Sequence, residues 1–285
     1  MSAHRRVSQA SAAARFRALH DQGPLVLANA WDVGSARIIE RAGARAVATT
    51  SAGVSWSLGC ADGERLSADD MVSLATRLTE AVDVPVTVDI ESGYGDGSAA
   101  HVASVVSRLV GAGVAGINLE DSGAQGAPLL EVERQQERLQ AARAAAGRTG
   151  SDLFVNARID TYLFAVGEAG DRLEATVRRA VAYCEAGADG IFVPGVTDAE
   201  TIAALVAAID APLNIMTGPG APSIDQLAAL GVVRISVGPA ITLAALGATE
   251  RAARELFEQG SYEQLRDGLP FAETNVFFAD RAASA

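Results

Sequence analysis

Asp89 and Glu91 stand two residues apart at the end of an apolar run, within VPVTVDIESGYGDG at positions 84–97. Side chains alternate in direction along a strand, so a D-x-E pair at a strand end sends both carboxylates to one side. Two adjacent anions repel each other and are costly to desolvate, and a hard cation such as Mg²⁺ relieves both penalties. The plainer alternative is a solvated strand end. What decides between them is what the neighbouring segments bring to the same place.

Those segments follow one rhythm. Apolar runs occur at Leu25–Trp31, Ala46–Ser51, Val84–Glu91, Gly116–Asp121, Leu153–Asp160, Gly190–Gly195, Pro212–Gly218 and Arg234–Gly238. Each leads into a polar or Gly-rich turn and then a stretch of 3.6-residue period, predicting helices at about 33–42, 67–82, 98–112, 131–146, 171–187, 198–209, 223–230 and 240–258. Ser67 with Asp70, and Asp198, read as N-caps, and Gly43, Gly113, Gly187 and Gly231 as left-handed helix ends. The runs lack polar alternation, as expected of strands covered on both faces. Eight β–α units in succession predict a (β/α)₈ TIM-type barrel filling a single 1–285 domain. A doubly wound sheet is the alternative, but no G-x-G-x-x-G follows the first run. An N-terminal helix at about 7–21, within a 1–22 leader to the barrel, carries Phe16 and Leu19 as candidate anchors. A helical tail over 260–285 carries Phe271, Phe277 and Phe278, whose apolar surface points to a subunit contact.

Composition narrows the chemistry. The chain has 285 residues, 49% of them hydrophobic, and a net charge of −12, which argues against nucleic acid or an anionic membrane as partner. All 23 basic residues are arginine, so a lysine Schiff base or lysine general acid is excluded from this chain. Three scattered histidines do not make a zinc site, and two cysteines do not make a disulfide scaffold. No signal-peptide or membrane-spanning run is present, so a soluble cytoplasmic protein is the expectation.

In a barrel the C-terminal strand ends carry the chemistry. Here they offer Asn29, Trp31 and Asp32, then Thr50, Ser51 and Gly53, then Asp89 and Glu91. Asn118, Glu120 and Asp121 follow, then Asn156, Arg158 and Asp160, and finally Asn214, Thr217 and Ser236. Asp89, Glu91 and Glu120, with Asp62 on the preceding loop, are a candidate metal set for Mg²⁺, with Mn²⁺ possible. Only one or two acids need bind directly, water completing the octahedron. Arg158 suits bidentate grip of a substrate carboxylate or phosphonate; its plainer role is an ion pair with Asp160 or Glu120. Ser51 and the amides of Ala52 and Gly53 could serve a second carboxylate or form only a tight turn. Asn214 could orient substrate or close a strand-end hydrogen bond.

The motifs NAWDVGSARIIERAGARAVATTSAG, SLGCAD, VPVTVDIESGYGDG, GVAGINLEDS, VNARIDTY and LNIMTGPGAPS, in this order from about Leu25 to Gly247, resemble the isocitrate lyase/phosphoenolpyruvate mutase superfamily. The resemblance implies a Mg²⁺-dependent barrel acting on C–C or P–C bonds next to a pyruvate-like enolate. It implies that Ser51, Ala52 and Gly53 hold a substrate carboxylate, that Asp62, Asp89, Glu91 and Glu120 surround the metal, and that Arg158 and Asn214 contact substrate. Arg158, Glu120 and Asp62 are then the candidate catalytic residues, with Trp31 a further substrate contact. It also implies a homo-oligomer, dimer or tetramer, that exchanges a C-terminal helix. The chain departs from the family's lyases at 122–130, where SGAQGAPLL stands in place of a Lys-Cys-Gly-His loop, and at Asn118 and Gly195, where they carry a histidine and a glutamate. The expected function is therefore a Mg²⁺-dependent carbon–carbon lyase or decarboxylase for a small α-keto or 2-hydroxy acid. Its proton would come from water, Tyr94 or Tyr162, with Cys60 a remote candidate. A phosphonate mutase and a non-catalytic oxyacid binder are the alternatives.

Overall fold

A computed structural model describes residues 12–123 and 128–279. It divides into two compact units, one ending at Pro239 and the other starting at Ala240. Residues 12–19 form α1. The first unit then runs β1 (Leu25–Leu27), β2 (Asn29–Ala30), α2 (Val33–Arg41), β3 (Val47–Thr49), α3 (Ser51–Ser57), α4 (Ala68–Ala81), β4 (Val86–Asp89), α5 (Ala99–Gly111), β5 (Gly116–Glu120) and α6 (Val132–Arg148). It continues with β6 (Phe154–Arg158), α7 (Arg172–Glu185), β7 (Gly190–Val193), α8 (Ala199–Ala208), β8 (Leu213–Met216), α9 (Ile224–Ala229) and β9 (Arg234–Ser236).

The nine strand segments lie in the order β1-β9-β8-β7-β6-β5-β4-β3-β2, and every pair is parallel. Ala28 alone separates β1, which pairs with β9, from β2, which pairs with β3. One interrupted strand thus joins both ends of the sheet. This is an α/β barrel of the TIM type, as the repeat of apolar runs predicts, and not an open doubly wound sheet.

Local sequence explains the helices. Along α5, Val102, Val105, Val106, Leu109 and Val110 form the buried stripe at i, i+3, i+4, i+7 and i+8. Each such side chain contributes roughly 1.5–3 kcal/mol of transfer free energy, an upper bound for a compact unfolded state. Ser67 and Asp70 form a reciprocal capping box at the start of α4, and Asp198 accepts from the Thr201 N–H at 2.8 Å. Predicted and observed helix ends agree within two residues, and the Gly at four predicted helix ends takes positive φ. α3 departs from expectation: Ser51-Ala52-Gly53 opens a seven-residue helix, not a tight turn.

At the N-terminal end of the strands, α1 closes the barrel. Phe16 packs in a cluster with Leu25, Leu27, Ala46, Ala48, Ala115 and Phe154. His20 stacks on Phe154 at 4.1 Å between ring centroids, and its Nδ1 lies 3.0 Å from the Phe16 carbonyl. Residues 7–11 of the predicted N-terminal helix lie outside the described residues.

The second unit comprises α10 (Ala240–Gln259), a 3₁₀ turn (Glu263–Leu265) and α11 (Phe271–Ala279). The Glu255 carboxylate holds the turn, accepting from Ser261 Oγ and from the N–H groups of Glu263 and Gln264 at 2.7–2.8 Å. Phe271 is 85% exposed. No helix among the described residues is long and apolar enough to cross a membrane.

Candidate active site

β4 ends at Asp89, and Glu91 lies beyond the strand with φ 50°. The left-handed turn overrides the simple alternation expected of D-x-E. Asp89 lines an inner cavity of about 190 Å³, whereas Glu91 lines an outer one of about 470 Å³. Asp62, Ser51 and Arg158 line both cavities, and Glu120 joins Glu91 in the outer one. The two acids remain coupled, because the Glu91 N–H donates to Asp89 Oδ1 at 2.9 Å.

The outer acids are held by a latch with no periodic signature in the sequence. Glu64 N–H donates to Glu91 Oε2 at 2.5 Å. In return, Glu64 Oε1 accepts from Ser92 Oγ at 2.5 Å and from the Tyr94 N–H at 2.8 Å. Glu64, Glu91 and Tyr94 are three of the four described non-glycine residues with positive φ. Each such conformation costs about 1–2 kcal/mol, so the hydrogen bonds and burial around it must hold it in place. The latch fixes the loop that carries Asp62, itself exposed to solvent.

Arg158, the last residue of β6, lies between the acids. Its Nη1 is 2.8 Å from Glu120 Oε2, and its Nε is 2.7 Å from Asp160 Oδ1. Both ion pairs that the sequence offered as its plainer role are therefore formed. Burial alone would lower its pKa, but Glu120, Asp160 and Asp89 raise it above the usual arginine value. Burial pushes the Glu120 carboxyl up to about 8, against the pull of Arg158 and with repulsion from Asp160. Ser122 Oγ lies 2.7 Å from both Glu120 Oε1 and Asp160 Oδ2. A hydroxyl has one proton to give, so the two carboxylates share it. Burial also pushes Glu91 to about 7, with Asp89 and Asp62 adding repulsion, and raises Asp89 against the field of Arg158.

A hard cation fits this donor set. The donors are carboxylate oxygens, burial and mutual repulsion raise three of the acids, and Glu91 Oε1 is buried without a hydrogen-bond partner. Among the described residues no three acidic, cysteine or histidine side chains form a ready-made cage. An ion here would take one or two direct carboxylates, with water completing its shell.

The remaining predicted residues fall differently. Ser51 and Ala52 line the inner cavity. Gly53 is buried in the first turn of α3, outside the lining of either cavity. Trp31 lines neither cavity. Asn214 is fully buried under the site, donating to Ser236 Oγ at 3.1 Å and accepting from Asn156 Nδ2 at 3.2 Å, so its observed role is the strand-end hydrogen bond. Asn118 Oδ1 accepts from Asn156 Nδ2 and from Arg234 Nη2, which builds a polar floor inside the barrel. Asp121 turns away to accept from Arg179 and Tyr183. Tyr94 is buried with an unpartnered hydroxyl, and burial raises its pKa well above the usual 10. Tyr94, Tyr162 and Cys60 line neither cavity, so the candidate proton donors are not brought to it. Within the 122–130 loop, residues 124–127 lie outside the described residues. Sequence reasoning missed Glu64, Ser122 and the apolar lining residues Leu163, Phe192 and Met216. The nearest signal was Glu64 in the SLGCADGE stretch, an acid two residues from Asp62.

Comparison with known proteins gives the family. The profile of the phosphoenolpyruvate phosphomutase family matches residues 16–257. An uncharacterised protein of Mycobacterium tuberculosis is 39% identical over 93% of this chain and 96% of its own length. The 2-methylisocitrate lyase of Escherichia coli is 30% identical over 89% of this chain and 87% of its own. The crystal structure of 2,3-dimethylmalate lyase superposes with a TM-score of 0.84 at 27% identity, covering 96% of both chains. A barrel with these strand ends, matched along most of its length, is an enzyme of the lyase and mutase type and belongs to the isocitrate lyase/phosphoenolpyruvate mutase superfamily.

Proposed function

We propose that the protein is a Mg²⁺-dependent carbon–carbon lyase for a small α-keto or 2-hydroxy acid, cleaving or decarboxylating it to leave a pyruvate-like enolate. The observation that carries this reading is the set of buried, raised carboxylates Asp89, Glu91 and Glu120 facing Arg158, with Glu91 Oε1 unpartnered. Asp89 would hold the ion directly, with Asp62, Glu91 and Glu120 reaching it through its waters. When bound, the ion supplies Lewis-acid stabilisation for charge developing on the substrate's keto oxygen. Arg158 binds the substrate carboxylate, and its ion pairs with Glu120 and Asp160 keep the guanidinium oriented before substrate arrives. Ser51 and the Ala52 N–H, at the start of α3 where helix amides have no intrahelical acceptor, supply neutral donors to the same head group.

The test is calorimetric titration of oxalate with and without Mg²⁺, followed by assays of oxaloacetate, 2-alkylmalates and a phosphonopyruvate. Mg²⁺-dependent oxalate binding that Asp89→Ala removes is the expected result. Binding that is independent of Mg²⁺ or of Asp89 refutes the site. Binding without turnover of any acid in the panel would make the protein a non-catalytic oxyacid binder.

A further inference from the structure

We infer that Asn118 contacts the substrate, its Nδ2 donating a hydrogen bond to an oxygen of the bound oxyacid, and that Arg234 and Asn156 hold the amide this way round from inside the barrel. The class of ligand rests on the functional reading above. Asn118 lines the inner cavity and pairs in register with Asp89 across β4 and β5. Its Oδ1 accepts from Asn156 Nδ2 at 2.9 Å and from Arg234 Nη2 at 3.0 Å. Its Nδ2 has no partner among the described residues. Nor is it one of the sealed, unpaired side-chain atoms, so it opens on the cavity. Asn29, the other asparagine lining this cavity, has no such donor to offer. Its Nδ2 is spent on the Thr49 carbonyl at 2.7 Å, and its Oδ1 accepts from the Val237 N–H at 3.1 Å.

The neighbours of Asn118 dictate which end of the amide faces up. A guanidinium carries only N–H donors, so Arg234 must face an oxygen. A second constraint starts from main-chain carbonyls. Asn214 Nδ2 donates to the carbonyls of Ile215 and Arg234 at 3.1 and 3.3 Å, which leaves Asn214 Oδ1 toward Asn156. Asn156 therefore turns its Nδ2 to Asn214 at 3.2 Å, and the same Nδ2 reaches Asn118 Oδ1. Both neighbours of Asn118 are donors. Turning its amide over would set N–H against N–H beside a buried charge. Arg234 has little else to hold. It is buried, its Nε and Nη1 are unpartnered, and burial pulls its pKa down to about 9 against the field of Asp89. Asn118 is the described side chain that accepts from it. One neutral donor is left facing the cavity, beside the carboxylates of Asp89 and Asp62. The oxygens of a small acid are acceptors, and a hydrogen bond to an ionised one is among the stronger kinds.

Two substitutions separate this contact from a purely structural role. Asn118→Asp keeps the shape of the side chain, gives Arg234 a counter-charge and turns a carboxylate oxygen to the cavity in place of the amide donor. At about pH 8 its thermal midpoint should equal or exceed that of the parent, because a buried cation gains a partner. Its oxalate affinity at saturating Mg²⁺, read by calorimetry, should nevertheless fall about ten-fold or more. Asn118→Leu removes the donor without adding charge. It should be less stable than the parent, since Arg234 loses its acceptor, and should show a comparable loss of affinity. A structural role alone would make affinity follow stability, and Asn118→Asp would then bind oxalate as the parent does. Parental affinity in Asn118→Asp, or in folded Asn118→Leu, overturns the inference; should Asn118→Leu fail to fold, Asn118→Asp decides. Failure of the unmodified protein to bind oxalate with Mg²⁺ overturns the functional reading and this contact together, whereas parental affinity in the variants overturns the contact alone.

Discussion

Replacing Glu64 with alanine removes the acceptor that ties the Asp62 loop to the turn after β4. Two bonds are lost, from Ser92 Oγ at 2.5 Å and from the Tyr94 N–H at 2.8 Å, while the Glu64 N–H bond to Glu91 belongs to the backbone and survives. A hydrogen bond to a carboxylate contributes about 1.5–3 kcal/mol. Glu64 is half-buried, so water recovers part of this, and the expected loss is about 2–3 kcal/mol in total. For a chain of this size that lowers the thermal midpoint by about 3–5 °C. Tyr94 and Glu91 would also lose the restraint on their left-handed backbones, so amide exchange in the 62–65 and 91–95 segments should quicken. The same loosening costs the acids their preorganisation, and Mg²⁺–oxalate affinity should fall about ten-fold, equivalent to about 1.4 kcal/mol. Glu64→Gln keeps an oxygen for the Tyr94 N–H and should lose less than half of each effect. Urea unfolding, hydrogen exchange and calorimetry on the two variants read all three quantities. Glu64→Ala with stability within about 0.5 kcal/mol of the parent and unchanged oxalate affinity would refute the latch.

Three further outcomes follow from particular contacts. Arg158→Lys cannot span Glu120 and Asp160 with a planar fork, so oxalate affinity should drop by on the order of ten-fold or more, and calorimetry showing no change would remove Arg158 from the head-group site. Burial, aided by the charge of Arg234, pulls the His20 pKa from 6.5 down to about 4. The folded state therefore favours neutral imidazole: this contribution is complete above pH 6.5 and is lost as pH falls from 6.5 toward 4, amounting to at most about 3 kcal/mol. Urea unfolding between pH 7 and 4 should show the decline, and His20→Phe should flatten it. Gly116→Ala would place a Cβ 2.8 Å from the Phe16 ring and 3.1 Å from the Phe154 carbonyl, so the contact between α1 and the barrel should loosen at a cost of about 1–3 kcal/mol, visible in the same assay.

Much of this protein is legible in its residue pattern. Helical period and strand-like runs are local properties, and the buried stripe of α5 and the capping box at Ser67 can be read from a dozen residues at a time. Barrel closure follows from repeating that unit, and once the strand ends are known, so does the convergence of Asp89, Glu120 and Arg158. The fate of individual side chains at those ends is not local. Asn214 and Arg158 are both polar residues at strand ends, yet one is sealed in the barrel floor and the other faces both cavities. Strand tilt and register decide that, and a single chain does not print them.

Sequence by itself determined the class of fold and the family and offered the acids a cation would need, because residue type and spacing carry that much. Tertiary structure alone decided where those acids lie. The left-handed turn at Glu91 parts it from Asp89, and the bonds that hold it span 27 and 30 residues along the chain. The close approach of Gly195 to Leu163 sets Leu163 in the lining of both cavities. Both depend on backbone segments meeting in space, and no periodicity within either segment encodes the meeting.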